Sequence, residues 1–206
     1  MNEVLYKFKN LNWFYFLLVC FLSFIGVVMI YSATSAMEIE IFRNHLIKVI
    51  FGIFVMLIIS IIDIEFWKRN AFYIYFFFLI TLVWASFFGY IGKGSRRWIE
   101  LYGFYLQPSE FMKIFIILSL AKFFDEKQIK EKRDYFFLIL PILIVLIPVG
   151  VILEQPDLGT ALIILIISFL IFFVAGLSWK FFASIGFFSL VLTPYLWSFL
   201  KAYQKQ

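Results

Sequence analysis

The stretch NLNWFYFLLVCFLSFIGVVMIYSATSAM, residues 10–37, runs from Lys9 to Glu38 without one charged side chain. As a helix its 28 residues would extend about 42 Å, against ~30 Å for the hydrocarbon core of a bilayer. Lys7 and Lys9 ahead of it, and the small residues Ser32 to Ala36 near its end, also resemble a secretory leader with its cleavage site. A leader's apolar region is only ~7–15 residues long, so this run is expected to stay as a first membrane helix.

The rest of the chain repeats that pattern. Of its 206 residues 64% are hydrophobic and 15% charged, with a mean hydropathy of +0.98. A soluble domain carries ~45–50% apolar and ~25% charged residues, and it needs polar surface to cover its core. A soluble enzyme, a disordered tail and a disulfide scaffold are therefore excluded. Six further spans are expected near 44–62, 70–92, 107–124, 135–153, 158–179 and 181–200. The predicted fold class is all-α, a polytopic membrane bundle of about seven helices forming one integral domain over 1–206.

The net charge of +5 does not point to nucleic acid. The cations are scattered between apolar runs and form no stripe for a phosphate backbone. They mark sides instead. With the N-terminus inside, ten Lys and Arg fall on the cytoplasmic side and seven outside, the bias that the positive-inside rule requires. The 125–134 segment is the strongest cytoplasmic marker. Cys20 is the sole cysteine, so no intrachain disulfide can form. The 30 phenylalanines keep no repeated spacing and serve as lipid-facing or interhelical bulk.

Charged groups inside spans cost ~2.5–3.5 kcal/mol each on insertion scales, which makes them functional candidates. Glu110 and Lys113 are three residues apart in the fourth span, on one helical face and within reach of each other. A first-turn glutamate complementing the helix dipole, with a snorkelling lysine, fits the same residues. Before them, Lys93-Gly94-Ser95-Arg96-Arg97-Trp98 sets two guanidinium forks beside an aromatic, a combination suited to phosphate. Lipid headgroup retention, or a merely solvated loop, is the alternative. Glu154-Gln155-Pro156-Asp157-Leu158-Gly159-Thr160 joins two spans on the same side, and Asp157 also suits the N-cap of the sixth. The three groups together predict an outward-facing patch mixing cations and carboxylates, fitted to an amphiphile with a charged head and a lipid tail. His45 stands alone, without metal-ligand spacing around it.

Three motifs in this order, Lys93-Gly94-Ser95-Arg96-Arg97-Trp98-Ile99, Gln107-Pro108-Ser109-Glu110-Phe111-Met112-Lys113 and Gln155-Pro156-Asp157-Leu158-Gly159-Thr160-Ala161, resemble the signatures of the SEDS family, whose members include RodA and FtsW. The ending Lys201-Ala202-Tyr203-Gln204-Lys205-Gln206 is similar to the entry to the large extracellular loop of RodA-type members. The chain is thus most like the N-terminal part of such a protein. The resemblance implies a fold of roughly ten helices, here truncated. It also implies a peptidoglycan glycosyltransferase that polymerises lipid II outside the bacterial inner membrane, beside a class B penicillin-binding protein acting as transpeptidase. RodA-type members serve elongation and rod shape; FtsW-type members serve division.

By motif match Asp157, Glu110 and Lys113 take catalytic roles, and Arg97, Arg96, Trp98 and Lys113 bind substrate. Arg96 is the weaker candidate, because the family arginine directly precedes the tryptophan. The family's catalytic aspartate lies in the large loop, past Gln206, so the 206-residue form is expected to be inactive. The residues make no cofactor certain; a divalent cation could assist the chemistry, but no ligand set in this chain proves one. Two other readings fit a membrane protein with charged helix pairs: a lipid II flippase, and a non-catalytic scaffold for the transpeptidase.

Overall fold

The computed structural model describes residues 7, 9, 11–34, 39–92, 95–101, 104–126, 135–184, 186 and 187. Within them the helices are α1 (Trp13–Thr34), α2 (Ile39–Ile61), α3 (Ile64–Phe88), α4 (Pro108–Glu126), α5 (Ile139–Glu154) and α6 (Leu158–Val174). Three short strands, β1 (Tyr90–Gly92), β2 (Ser95–Leu101) and β3 (Phe104–Leu106), lie between α3 and α4. The chain divides into two compact units, Met1–Trp67 and Lys68–Gln206.

In the first unit α1 and α2 pack as an antiparallel hairpin. Lys7 Nζ donates to Asp63 Oδ2 at 2.6 Å, tying the start of α1 to the end of α2. At the opposite end the rings of Tyr31 and Phe42 meet edge to face, 5.2 Å apart. Neither helix contains a buried residue. Past the polar first turns of α2, with Glu40, Arg43, Asn44, His45 and Lys48, apolar side chains face outward all round both helices, as suits helices solvated by lipid.

The second unit has a core. Ala71, Tyr75, Leu82 and Ala85 of α3 repeat at helical spacing and are buried. Met112, Ile116 and Leu120 of α4, Ile144, Val149 and Ile152 of α5, and Ala161 and Ile164 of α6 complete it. Small residues at 71, 85, 119 and 161 let the backbones approach, as membrane helix interfaces require. Polar links then fasten them. Pro148 inside α5 has no N–H for the carbonyl four residues earlier, and Tyr75 Oη donates to that carbonyl, Ile144 O, at 3.0 Å. Ser119 Oγ donates to Ala71 O at 3.3 Å. The buried Gln155 side chain donates from Nε2 to Leu82 O at 3.1 Å and to Ser86 Oγ at 2.7 Å. Each such bond is worth only ~0.6 kcal/mol on average within a membrane, but an unpaired carbonyl in hydrocarbon costs more.

The all-α membrane bundle is thus realised. α1, α2 and α3 are long and apolar enough to cross a bilayer, while α5 and α6 are apolar and shorter, 16 and 17 residues. The boundaries differ from the sequence expectation where charge or turn chemistry decides them. α3 starts at Ile64 and not at 70, because Lys68 and Arg69 extend the helix, with Lys68 paired to Asp125 at 2.6 Å. α6 stops at Val174 and not at 179, where Gly176 adopts a φ of 77°. Residues 179–184, 186 and 187 are helical; the remainder of the seventh span, the 127–134 segment, Lys93, Gly94 and the ending Lys201 to Gln206 lie outside the described residues.

One element departs from expectation. β1 lies where the sequence places the end of the third span, 70–92, and β2 and β3 lie where it places a loop; the three strands form an antiparallel ribbon in the order β1-β2-β3. Ser95-Arg96-Arg97-Trp98-Ile99-Glu100-Leu101 mixes aromatic and β-branched residues with polar ones in a pattern that pleats well, but its arginines draw attention to loop chemistry instead. Gly89 lets the ribbon leave α3. A Cβ there would stand 2.3 Å from Ala85 O and 3.0 Å from Trp98 O, so only glycine permits this approach.

Candidate functional site

Two helix N-termini and one strand irregularity build the site. Pro108 opens α4, a position where its missing N–H costs nothing, and Gln107 precedes it as cap, its carbonyl accepting from Glu110 N at 3.1 Å. Asp157 caps α6: Oδ1 accepts from Thr160 N at 3.2 Å. The caps touch each other, Gln107 Nε2 donating to Asp157 Oδ2 at 3.2 Å and to Ser109 Oγ at 3.0 Å. α4 and α6 therefore bring their positive dipole ends together.

Arg97 arrives from the ribbon. Tyr90 pairs with Trp98 and Ile91 with Arg96, which leaves Arg97 as the extra, unpaired residue of a β-bulge. Bulges re-aim side chains. Here the guanidinium turns to Asp157, with Nη1 3.3 Å from Oδ2 and side chains only 22% and 13% exposed. Among the described residues Arg97 Nε is buried without a hydrogen-bond partner, so one carboxylate oxygen holds this cation.

The expected ion pair forms. Lys113 Nζ donates to both Glu110 oxygens, at 2.9 and 3.0 Å, on the first turns of α4 beyond the Gln107 cap. Lys113 flanks the packed face of α4, and Glu110 is about half exposed. Arg96 goes elsewhere: its Nη1 donates to Phe87 O at 3.0 Å, in an exposed setting at the end of α3. The two guanidinium forks read from sequence as a pair therefore do not converge. Trp98 is half-buried opposite Tyr90 in the ribbon. Glu154 is exposed at the last turn of α5.

Two glutamines of the motifs have structural roles that the sequence does not reveal. Gln107 links the caps, and Gln155 fastens the α5–α6 turn to α3. The signal for Gln107 was its position: glutamine is a poor N-cap compared with Ser, Thr, Asp or Asn, so its placement there requires another reason. Among the described residues no group of three or more His, Cys, Asp or Glu side chains gathers as a metal site would require. What the arrangement offers is cationic and dipolar: a guanidinium, an ammonium and two helix N-termini, with carboxylates that orient the cations.

The family described as cell cycle protein, FTSW_RODA_SPOVE, matches residues 12–206. The chain is 34% identical over 189 residues to a protein of Trichlorobacter lovleyi named "Probable peptidoglycan glycosyltransferase FtsW", covering 87% of this chain and 50% of that one. It is 29% identical over 182 residues to the peptidoglycan glycosyltransferase MrdB of Escherichia coli K12, covering 88% and 48%. The chain thus spans about half the length of the curated relatives it matches. Among solved structures it resembles the rod shape determining protein RodA of Thermus thermophilus, with a TM-score of 0.73, 29% identity and coverage of 90% and 60%. A chain in a peptidoglycan synthase complex that coordinates polymerization and crosslinking gives a TM-score of 0.78 at 29% identity, with coverage of 94% and 56%. Since the match takes in the ribbon, both helix caps and the Glu110–Lys113 pair, the chain belongs to the SEDS family of FtsW, RodA and SpoVE proteins.

Proposed function

We propose that the protein carrying these residues is a peptidoglycan glycosyltransferase of the elongation machinery. It polymerises lipid II at the outer face of the bacterial inner membrane, with its N-terminus cytoplasmic and a class B penicillin-binding protein as its partner. The observation that carries this reading is the meeting of Arg97 with the capped N-termini of α4 and α6 through Asp157 and Gln107. Such a site suits a departing diphosphate.

In the reaction the 4-hydroxyl oxygen of one lipid II forms a bond to the anomeric carbon of another. The bond from that carbon to the polyprenyl diphosphate breaks, and the leaving group takes the electron pair. The hydroxyl proton passes to a carboxylate base, which the family resemblance puts in the large extracellular loop. Arg97 and Lys113 stabilise negative charge on the leaving diphosphate. Glu110 orients Lys113, and Asp157 orients Arg97. Asp157 is a poor choice for the base, since Oδ1 serves the α6 cap and Oδ2 serves Gln107 and Arg97.

Purified lipid II in detergent, without vesicles, tests the activity. Native-length protein should yield glycan chains, and Lys113→Ala or Arg97→Ala should lower the rate at least about tenfold, the loss of one charged stabilising contact. Transfer of lipid II across vesicles without polymerisation would move the assignment to a flippase. The elongation branch is supported by the RodA likeness, while an FtsW relative is the more identical in sequence. Rescue of a rod-shape mutant but not of a division mutant tests that branch.

A further inference from the structure

We propose that Gln107 is a positioning residue that fixes Asp157, and through it the Arg97 guanidinium, at the diphosphate end of the site. What Arg97 does there rests on the polymerase reading; the coupling itself rests on geometry. The Gln107 amide has two N–H groups, and both are spent: one on Ser109 Oγ at 3.0 Å, the other on Asp157 Oδ2 at 3.2 Å. Thr160 N holds Oδ1 at 3.2 Å. The carboxylate is pinned at both oxygens, so rotation about its terminal bond breaks a contact on one side or the other.

Without Gln107 the cap bond still holds Oδ1, but Oδ2 keeps only the 3.3 Å contact to Arg97 itself, so carboxylate and guanidinium can swing together. That freedom reaches Arg97 directly. Its Nη1 lies 3.3 Å from Oδ2, and its buried Nε has no partner among the described residues. The bulge brings the arginine to the site, but Asp157 sets where its fork points. Glutamine suits the task because it donates without charge, leaving the full negative charge of Asp157 for the guanidinium. A cation at 107 would compete with Arg97, and an anion would repel Asp157.

The test uses native-length protein and lipid II polymerisation in detergent. Gln107→Ala should lower kcat about tenfold or more, the usual weight of a hydrogen bond to a charged group, with KM little changed. Gln107→Glu should lose more near neutral pH. It should recover relative to wild type as the pH falls, because the protonated acid again offers Asp157 a donor; Gln107→Ala should show no such recovery. A purely structural role moves neither the kcat–KM split nor the acid recovery. If wild type polymerises and Gln107→Ala keeps its kcat, the positioning role is overturned and the polymerase reading stands. If wild type makes no glycan, the polymerase reading falls, and thermal unfolding of Gln107→Ala, Asp157→Asn and the double variant decides the coupling. A double shift smaller than the sum of the single shifts supports it, and additive shifts overturn it.

Discussion

The hairpin of α1 and α2 and the group formed by α3 to α6 have nearly the same apolar composition, yet they are organised by different forces. Among the described residues the hairpin helices bury no side chain and are closed by the Tyr31–Phe42 ring contact and the Lys7–Asp63 ion pair, whose aspartate is 62% exposed. The α3–α6 group interlocks small and large side chains and ties carbonyls and caps together across helices. The difference teaches that apolarity only brings a helix into the membrane. Lipid is as apolar as leucine, so holding a helix against a particular neighbour takes close packing and polar contacts.

The largest expected contrast is in packing. Leu82→Ala empties a fully buried position in α3 and should cost about 2–5 kcal/mol. Leu22→Ala in α1, 59% exposed, should cost under ~1 kcal/mol, since lipid fills the space. Unfolding of native-length protein in mixed micelles measures both. Equal losses would show α1 to be covered in the native assembly and end the comparison.

Next come the ion pairs. Asp157→Ala removes the α6 cap and the anchor of a mostly buried Arg97, for an expected loss of about 2–4 kcal/mol. Asp63→Ala breaks an exposed pair and should change stability by under ~1 kcal/mol. A smaller loss at Asp157 than at Asp63 would contradict the assignment of the strong contacts to the second unit.

Tyr75→Phe sharpens the picture at a single hydroxyl. It leaves the Ile144 carbonyl, already deprived of its helical donor by Pro148, without Tyr75, and should cost about 1 kcal/mol. Tyr31→Phe, whose ring packs against Phe42 across α1 and α2, should be neutral within about 0.3 kcal/mol. The same micelle titration ranks them.

The smallest expected effect is at Gly159. A Cβ there meets only Asp157 Oδ1, at 3.9 Å. Gly159→Ala should leave stability unchanged or raise it by about 0.5 kcal/mol through helix propensity. A fall in polymerisation without loss of stability would then mark that open space beside Asp157 as substrate volume.

The membrane class and the existence of the described helices were legible from run length and charge alone. The Glu110–Lys113 pair was legible too, since a spacing of three within one helix fixes which side chains meet. The motifs gave the family, through residues 93–99, 107–113 and 155–161. Helix ends were less legible, because Lys68 and Gly176 set them by local chemistry that hydropathy averages away. The fate of the two arginines was not legible at all. Arg96 and Arg97 are neighbours in sequence, but the bulge in β2 sends one to Phe87 O and the other to Asp157. The bridge from Gln107 to Asp157 spans 50 positions. Periodicity reports only what lies within one element, so hydropathy and charge could put these helices in the membrane but could not say which caps would touch. The packing of α4 against α6 decided that, by bringing two N-termini close enough for a neutral amide to join them.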